Sequence, residues 1–161
     1  MKKKWIWLAV IAIPLLLICT AFLNVYNNAQ KPHKEAKEYA ISVAKQESAI
    51  TSVIDFNIYN SEETYYVVTG QTDKKKKLAV FVPKDKKKQP IIKDITKGVS
   101  KEEAVKKLQN EEPIEKLLSA RLGIEKSGPV WELVFLDKND QVNYYYLQVN
   151  SGEWWKKIKH I

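Results

Sequence analysis

Ser100-Lys101-Glu102-Glu103-Ala104-Val105-Lys106-Lys107-Leu108 divides this 161-residue chain, because a helix begins here with strand-like sequence on both sides. Ser100 is a good N-cap, and Glu103 three residues later completes a capping box. Ala104, Val105 and Leu108 form an apolar stripe at helical spacing, which predicts a helix over 101–111. Pro113 bars its continuation. Working back, strand-forming runs lie at 52–59, 64–69, 78–82 and 90–95, separated by polar turns. Before them, Pro32 suits an early helix position, and Ala36, Ala40, Val43, Ala44 and Glu47 share one face, predicting a helix over 32–48. Working forward, strands are predicted at 115–125, 130–136, 141–149 and 153–159. Asp137-Lys138-Asn139-Asp140 and Ser151-Gly152 make turns.

The order is therefore helix–strands, helix–strands: an α+β unit of about 60 residues, duplicated. One such unit has a thin core. Two sheets packed together, or two helices each covering a sheet face, solve that.

The start of the chain has a different character. Lys2, Lys3 and Lys4 precede an uncharged run over 5–23. Nineteen helical residues span roughly 28 Å, close to the hydrocarbon thickness of a bilayer. Trp5, Trp7 and Tyr26 sit where interfacial aromatics are expected, Pro14 is a bend that lipid-spanning helices tolerate, and Cys19 and Leu23 lie inside the run. The three lysines stay cytoplasmic by the positive-inside rule, which puts everything after Asn24 outside. The expected organisation is a cytoplasmic tail at 1–4, an anchor at 5–25, a spacer at 26–31, and folded domains at 32–96 and 97–161. A cleaved signal fits less well, because the run is long and Asn27-Asn28-Ala29 is a poor cleavage site. A lipid-attachment signal at Leu16-Leu17-Ile18-Cys19 fails at Ile18.

Composition narrows the chemistry. The net charge is +8, and removing the three N-terminal lysines leaves 24 basic against 19 acidic residues. Such a balance suits anionic lipid or wall polymers, and equally serves solubility. Cys19 is the only cysteine, so an intramolecular disulfide and a cysteine metal cage are both excluded. His33 and His160 lie at opposite ends of the chain. No G-x-S-x-G motif or phosphate-binding glycine loop occurs. The acid pairs 62–63, 102–103 and 111–112 do not face one another if helical. No catalytic, cofactor or metal site is expected, and an extracytoplasmic domain meets no nucleic acid.

Two features remain as candidate surfaces. The lysine runs 74–77 (Lys74, Lys75, Lys76) and 84–88 (Lys86, Lys87) fall at opposite ends of the 78–82 strand. They are either solvated turns protecting strand edges or contacts to anionic lipid heads. Among the aromatics, Tyr145, Leu147 and Val149 share one strand face and Tyr144, Tyr146 and Gln148 the other, while Trp154 and Trp155 point oppositely. One face is core. The other exposes Tyr144 and Tyr146 or, as the favoured alternative, packs between the two repeats.

The second half, with Gly98-Val99-Ser100-Lys101-Glu102-Glu103-Ala104, Val130-Trp131-Glu132-Leu133 and Tyr146-Leu147-Gln148-Val149-Asn150-Ser151-Gly152-Glu153, resembles the PepSY repeat, a cystatin-like helix on an antiparallel sheet. Asn150 and Ser151 stand where that repeat usually has Asp and Thr. The lysine-rich start, anchor, Tyr65-Tyr66-Val67-Val68 strand, Val80-Phe81-Val82-Pro83 strand end, second helix and Trp131-Glu132-Leu133 strand together resemble the YpmB/TseB-like family of cell-wall elongation regulators of Gram-positive bacteria. That resemblance implies a membrane-anchored, non-enzymatic protein with two PepSY-like domains outside the cell, linked to a class B penicillin-binding protein. An inhibitor or chaperone of an extracytoplasmic peptidase is the alternative, and a hydrolase with an unrecognised site the third reading.

Overall fold

The computed structural model describes residues 2–159, with side chains described at 16, 18–26 and 28–159. The chain forms two units, 1–38 and 39–161. The first belongs to α1 (Lys2–Glu47). Trp5, Trp7 and Pro14 lie outside the described side chains, as does most of the uncharged run. Among the described residues no helix is long and apolar enough to cross a membrane. Leu16, Ile18, Cys19, Phe22, Leu23, Val25 and Tyr26 are exposed. Pro32 does not open a helix: α1 is already formed before it and runs through the expected spacer. Its missing N–H removes one helical hydrogen bond without ending the helix.

The second unit contains residues 39–47 of α1 and two four-stranded antiparallel meanders. The first has strands β1 (Ser52–Asn60), β2 (Thr64–Gln71), β3 (Lys77–Pro83) and β4 (Ile91–Asp94). Then come α2 (Lys101–Glu111) and the second meander, β5 (Ile114–Glu125), β6 (Gly128–Asp137), β7 (Val142–Gln148) and β8 (Trp154–Ile158). The capping box forms as expected: the Glu103 N–H donates to Ser100 Oγ at 3.2 Å, and the Ser100 N–H to Glu103 Oε2 at 2.8 Å.

Strand alternation sorts the apolar residues into three cores. In the first sheet, Val68, Val80 and Val82 face α1 and pack on Ala40, Ala44 and Ile50. Their neighbours Val67, Ala79 and Phe81 face the other way, toward the second sheet. In that sheet, Leu133, Phe135, Tyr145 and Leu147 pack under Ala104 and Leu108 of α2. Val130 and Tyr146 meet the first sheet, joined by Leu122 and Ile124. The layers are helix, sheet, sheet, helix. Both arrangements expected for thickening the core therefore occur together, and the two repeats share one interior. Val149, expected beside Tyr145 and Leu147, lies instead in the inter-sheet core, because β7 ends at Gln148 and the Val149 N–H turns to Pro129 O at 3.0 Å.

The sheets come close together where Tyr59 of β1 lies on Gly123 of β5. A Cβ on Gly123 would stand 2.3 Å from the Tyr59 ring. Gly123→Ala is expected to destabilise the protein by about 1–3 kcal/mol through overpacking, whereas Gly128, the first residue of β6, has open space around it and is constrained by its φ of +117° instead. Urea unfolding of the Gly123→Ala variant measures the effect.

Candidate interaction surface

The inter-sheet core contains a polar seam. Tyr59 donates its hydroxyl to Glu125 Oε1 at 2.6 Å, and Ser61 donates to Oε2 of the same carboxylate at 3.1 Å. The Asn57 amide donates to the Leu122 carbonyl at 2.9 Å. Together these tie the first strand of one repeat to the first strand of the other. Behind them, Glu132 is buried on the inward face of β6. It accepts two bonds from Arg121 at 2.5 and 3.0 Å and one from the Tyr146 hydroxyl at 3.1 Å. A buried carboxylate needs such partners, since its desolvation is otherwise uncompensated. Sequence reading passed over Glu132, Glu125 and Arg121. The available signal was a charge at an inward position of the apolar strand Val130-Trp131-Glu132-Leu133.

This placement decides the tyrosine question. Tyr146 is 9% exposed, so its ring is core rather than surface. Tyr144 is half-buried and stacks on it at 6.5 Å between centroids, and Trp155 meets it edge-on at 6.1 Å. The face packs between the repeats, the favoured alternative. Of the four aromatic candidates only Trp154 stands out in solvent, 59% exposed on β8, which pairs with β7 alone. Lys157 reaches over both the Trp154 ring (5.4 Å) and the Tyr145 ring (4.9 Å). It also meets Glu112 at 3.1 Å, and Lys159 meets the other oxygen of Glu112 at 2.9 Å. Burial pushes the Glu112 carboxyl up, but the hydrogen bonds from Lys159 and Lys157 outweigh it and hold the group below the usual carboxylate range. Trp154 is thus set on a braced strand rather than a loose terminus.

The candidate lysines are all exposed, and the fold separates them. Lys74, Lys75 and Lys76 occupy the β2–β3 turn; Lys86 and Lys87 occupy the β3–β4 loop. Lys86 lies 4.6 Å over the ring of Tyr39, and Lys88 is paired with Glu63. Among the described residues, no three His, Cys, Asp or Glu side chains converge to hold a metal ion. The hollow between the β1–β2 and β5–β6 turns, about 340 Å³, carries Glu62, Glu63 and Glu125 beside Lys93 and Lys126. Lys126 pairs with Glu62 at 2.6 Å.

Burial raises the hydroxyl pKa of Tyr59, Tyr145 and Tyr146, and the carboxylates they bond (Glu125, Glu111 and Glu132) push in the same direction. A raised folded-state pKa means the native state holds its protons more tightly than the unfolded chain. That stability is fully present below the ordinary tyrosine pKa of about 10 and is lost as pH rises above it. Stability should accordingly fall above about pH 10. Ultraviolet titration should show these phenols ionising only together with unfolding.

Comparison with known proteins gives three matches. Residues 39–83 match the family model of the cell wall elongation regulator TseB-like domain. A relative from Bacillus subtilis (strain 168), the probable cell wall elongation regulator TseB, is 30% identical over 157 residues, covering 98% of both chains. The solved structure of the YpmB protein from Bacillus subtilis is 32% identical with a TM-score of 0.66, over 76% of this chain and 95% of that one.

Proposed function

Because the chain belongs to the TseB-like family of cell wall elongation regulators, we propose that it is a non-enzymatic regulator held outside the cytoplasmic membrane, where it contacts a class B penicillin-binding protein. The anchor is the uncharged run over 5–23, behind the three lysines that keep the N-terminus cytoplasmic. The partner is membrane-bound as well, since a tethered domain searches only the space beside its own bilayer.

The observation that carries the contact reading is Trp154. Large aromatics are enriched in the centres of protein interfaces, where their burial dominates affinity. Tyr144, Tyr146 and Trp155 are drawn into the core or against it, while Trp154 is left out on a strand with an open edge. Lys157 and the Glu112 pair hold that strand in place, so a partner need not order it on binding.

A photoreactive amino acid at position 154 tests this in growing cells. It should give an adduct with an elongation penicillin-binding protein, and the same probe at the exposed Lys138, on the β6–β7 turn, should not. Adducts with a peptidase alone would favour the inhibitor reading instead. No adduct with any penicillin-binding protein from position 154 would remove Trp154 as the contact.

A further inference from the structure

Each sheet ends in two strands that pair on one side only, β1 and β4 in the first and β5 and β8 in the second. Such an edge offers unpaired N–H and C=O groups on which a partner's extended segment can add a further strand. Here every edge is blunted. β4 has four residues. The register of β1 against β2 skips Ile54, and that of β5 against β6 skips Glu115 and Leu118. In β8, Trp154 pairs with Leu147 and Lys156 with the adjacent Tyr146, so Trp155 is the extra residue of a bulge. A bulge interrupts the ladder and bends the edge away from a straight partner strand.

The bulge in β8 also decides what stands beside Trp154. In a regular strand, residues 154 and 157 would point to opposite faces. The extra residue puts Trp155 and Lys156 on the same face, where the Trp155 ring meets Tyr146 edge-on at 6.1 Å and the Lys156 ammonium lies 5.7 Å from the same ring. Alternation restarts after them, and Lys157 falls on the face of Trp154, 5.4 Å from its ring centroid. The charges on that face answer one another. Lys157 meets Glu111 at 3.6 Å and Glu112 at 3.1 Å, Lys159 meets Glu112 at 2.9 Å, and the Lys107 ammonium donates to the Gly152 carbonyl. Glu153, next to Trp154 in the chain, completes a set of three lysines and three glutamates with no net charge.

We infer that Trp154 enters an apolar, uncharged pocket on a folded domain of the partner, and that the partner adds no strand to β8. An exposed indole on a braced strand suits a pocket, where full desolvation lets one aromatic side chain dominate affinity. An extended segment would need the ladder that the bulge breaks. A strongly acidic partner would find the lysines of this face already engaged, so the neutral surroundings of the ring match a neutral pocket. The inference rests on Trp154 being the contact, as proposed above; the bulge and the charge pairing do not.

The test starts in growing cells, with the full chain carrying a photoreactive amino acid at Glu153, which is exposed and leaves Trp154 in place. The membrane protein it labels is then the probe: its whole extracytoplasmic domain is titrated against the full chain in nanodiscs. Trp154→Phe should keep binding within about threefold, whereas Trp154→Thr, which retains a strand-forming residue but removes the ring, should weaken it more than about tenfold. Raising NaCl from about 0.05 to about 0.5 M should change affinity less than about twofold. Peptides of about 15 residues tiling the same domain should not bind, since strand addition needs only an extended segment and a pocket needs the fold. Undiminished binding of Trp154→Thr, a tiling peptide that binds, or a strong salt dependence overturns the pocket and keeps the contact. The expected pattern with a membrane protein other than a penicillin-binding protein keeps the pocket and overturns the partner. No labelled protein overturns both.

Discussion

A four-stranded meander has two faces, and each repeat of this chain supplies one helix to cover one of them. The exposed remainder would be a row of Val, Phe and Tyr side chains, and its burial is the constraint on which the architecture depends. Val67, Ala79 and Phe81 have no cover in their own repeat, nor have Val130 and Tyr146; they cover one another. Apolar burial at about 25 cal/mol per Å² makes such a face decisive for a small domain. The close approach of Tyr59 to Gly123 belongs to this packing, since the missing side chain of the glycine leaves room for the ring.

Placing two sheets face to face also buries polar groups, and the seam shows how each is answered. Asn57 satisfies a carbonyl of the opposite edge strand, Tyr59 and Ser61 share Glu125, and Arg121 and Tyr146 share Glu132. None of these contacts can form in an isolated repeat when the partner lies in the other, as with Tyr59 and Glu125. The seam therefore specifies one mutual arrangement of the repeats, where apolar contact alone would permit several.

With both helices and both sheet faces occupied, the surfaces left for function are the strand edges and the loop ends. Trp154 belongs to the first kind and the exposed lysines of the β2–β3 turn and the β3–β4 loop to the second.

Local order was written in the sequence. The Ser100–Glu103 capping box, the polar turns, Pro113 and the alternation within each strand fixed two helices and eight strands with small errors at their ends, because these signals act over a few residues. Helix–meander duplication followed from the order of the same elements, and the family from the resemblance of the motifs they carry. The exceptions were Pro32, read as a start but lying inside α1, and Val149, read by alternation although its strand had ended. What alternation could not say was which apolar face meets which neighbour. Tyr144 and Tyr146 were assigned a common face correctly, but only the packing of sheet on sheet made it an interior one. Glu132 with Arg121, and Tyr59 with Glu125, are likewise pairings across turns or between elements. Sequence determined the elements because hydrogen bonding and periodicity are local; tertiary structure decided the sites because burial and charge convergence depend on residues far apart in the chain.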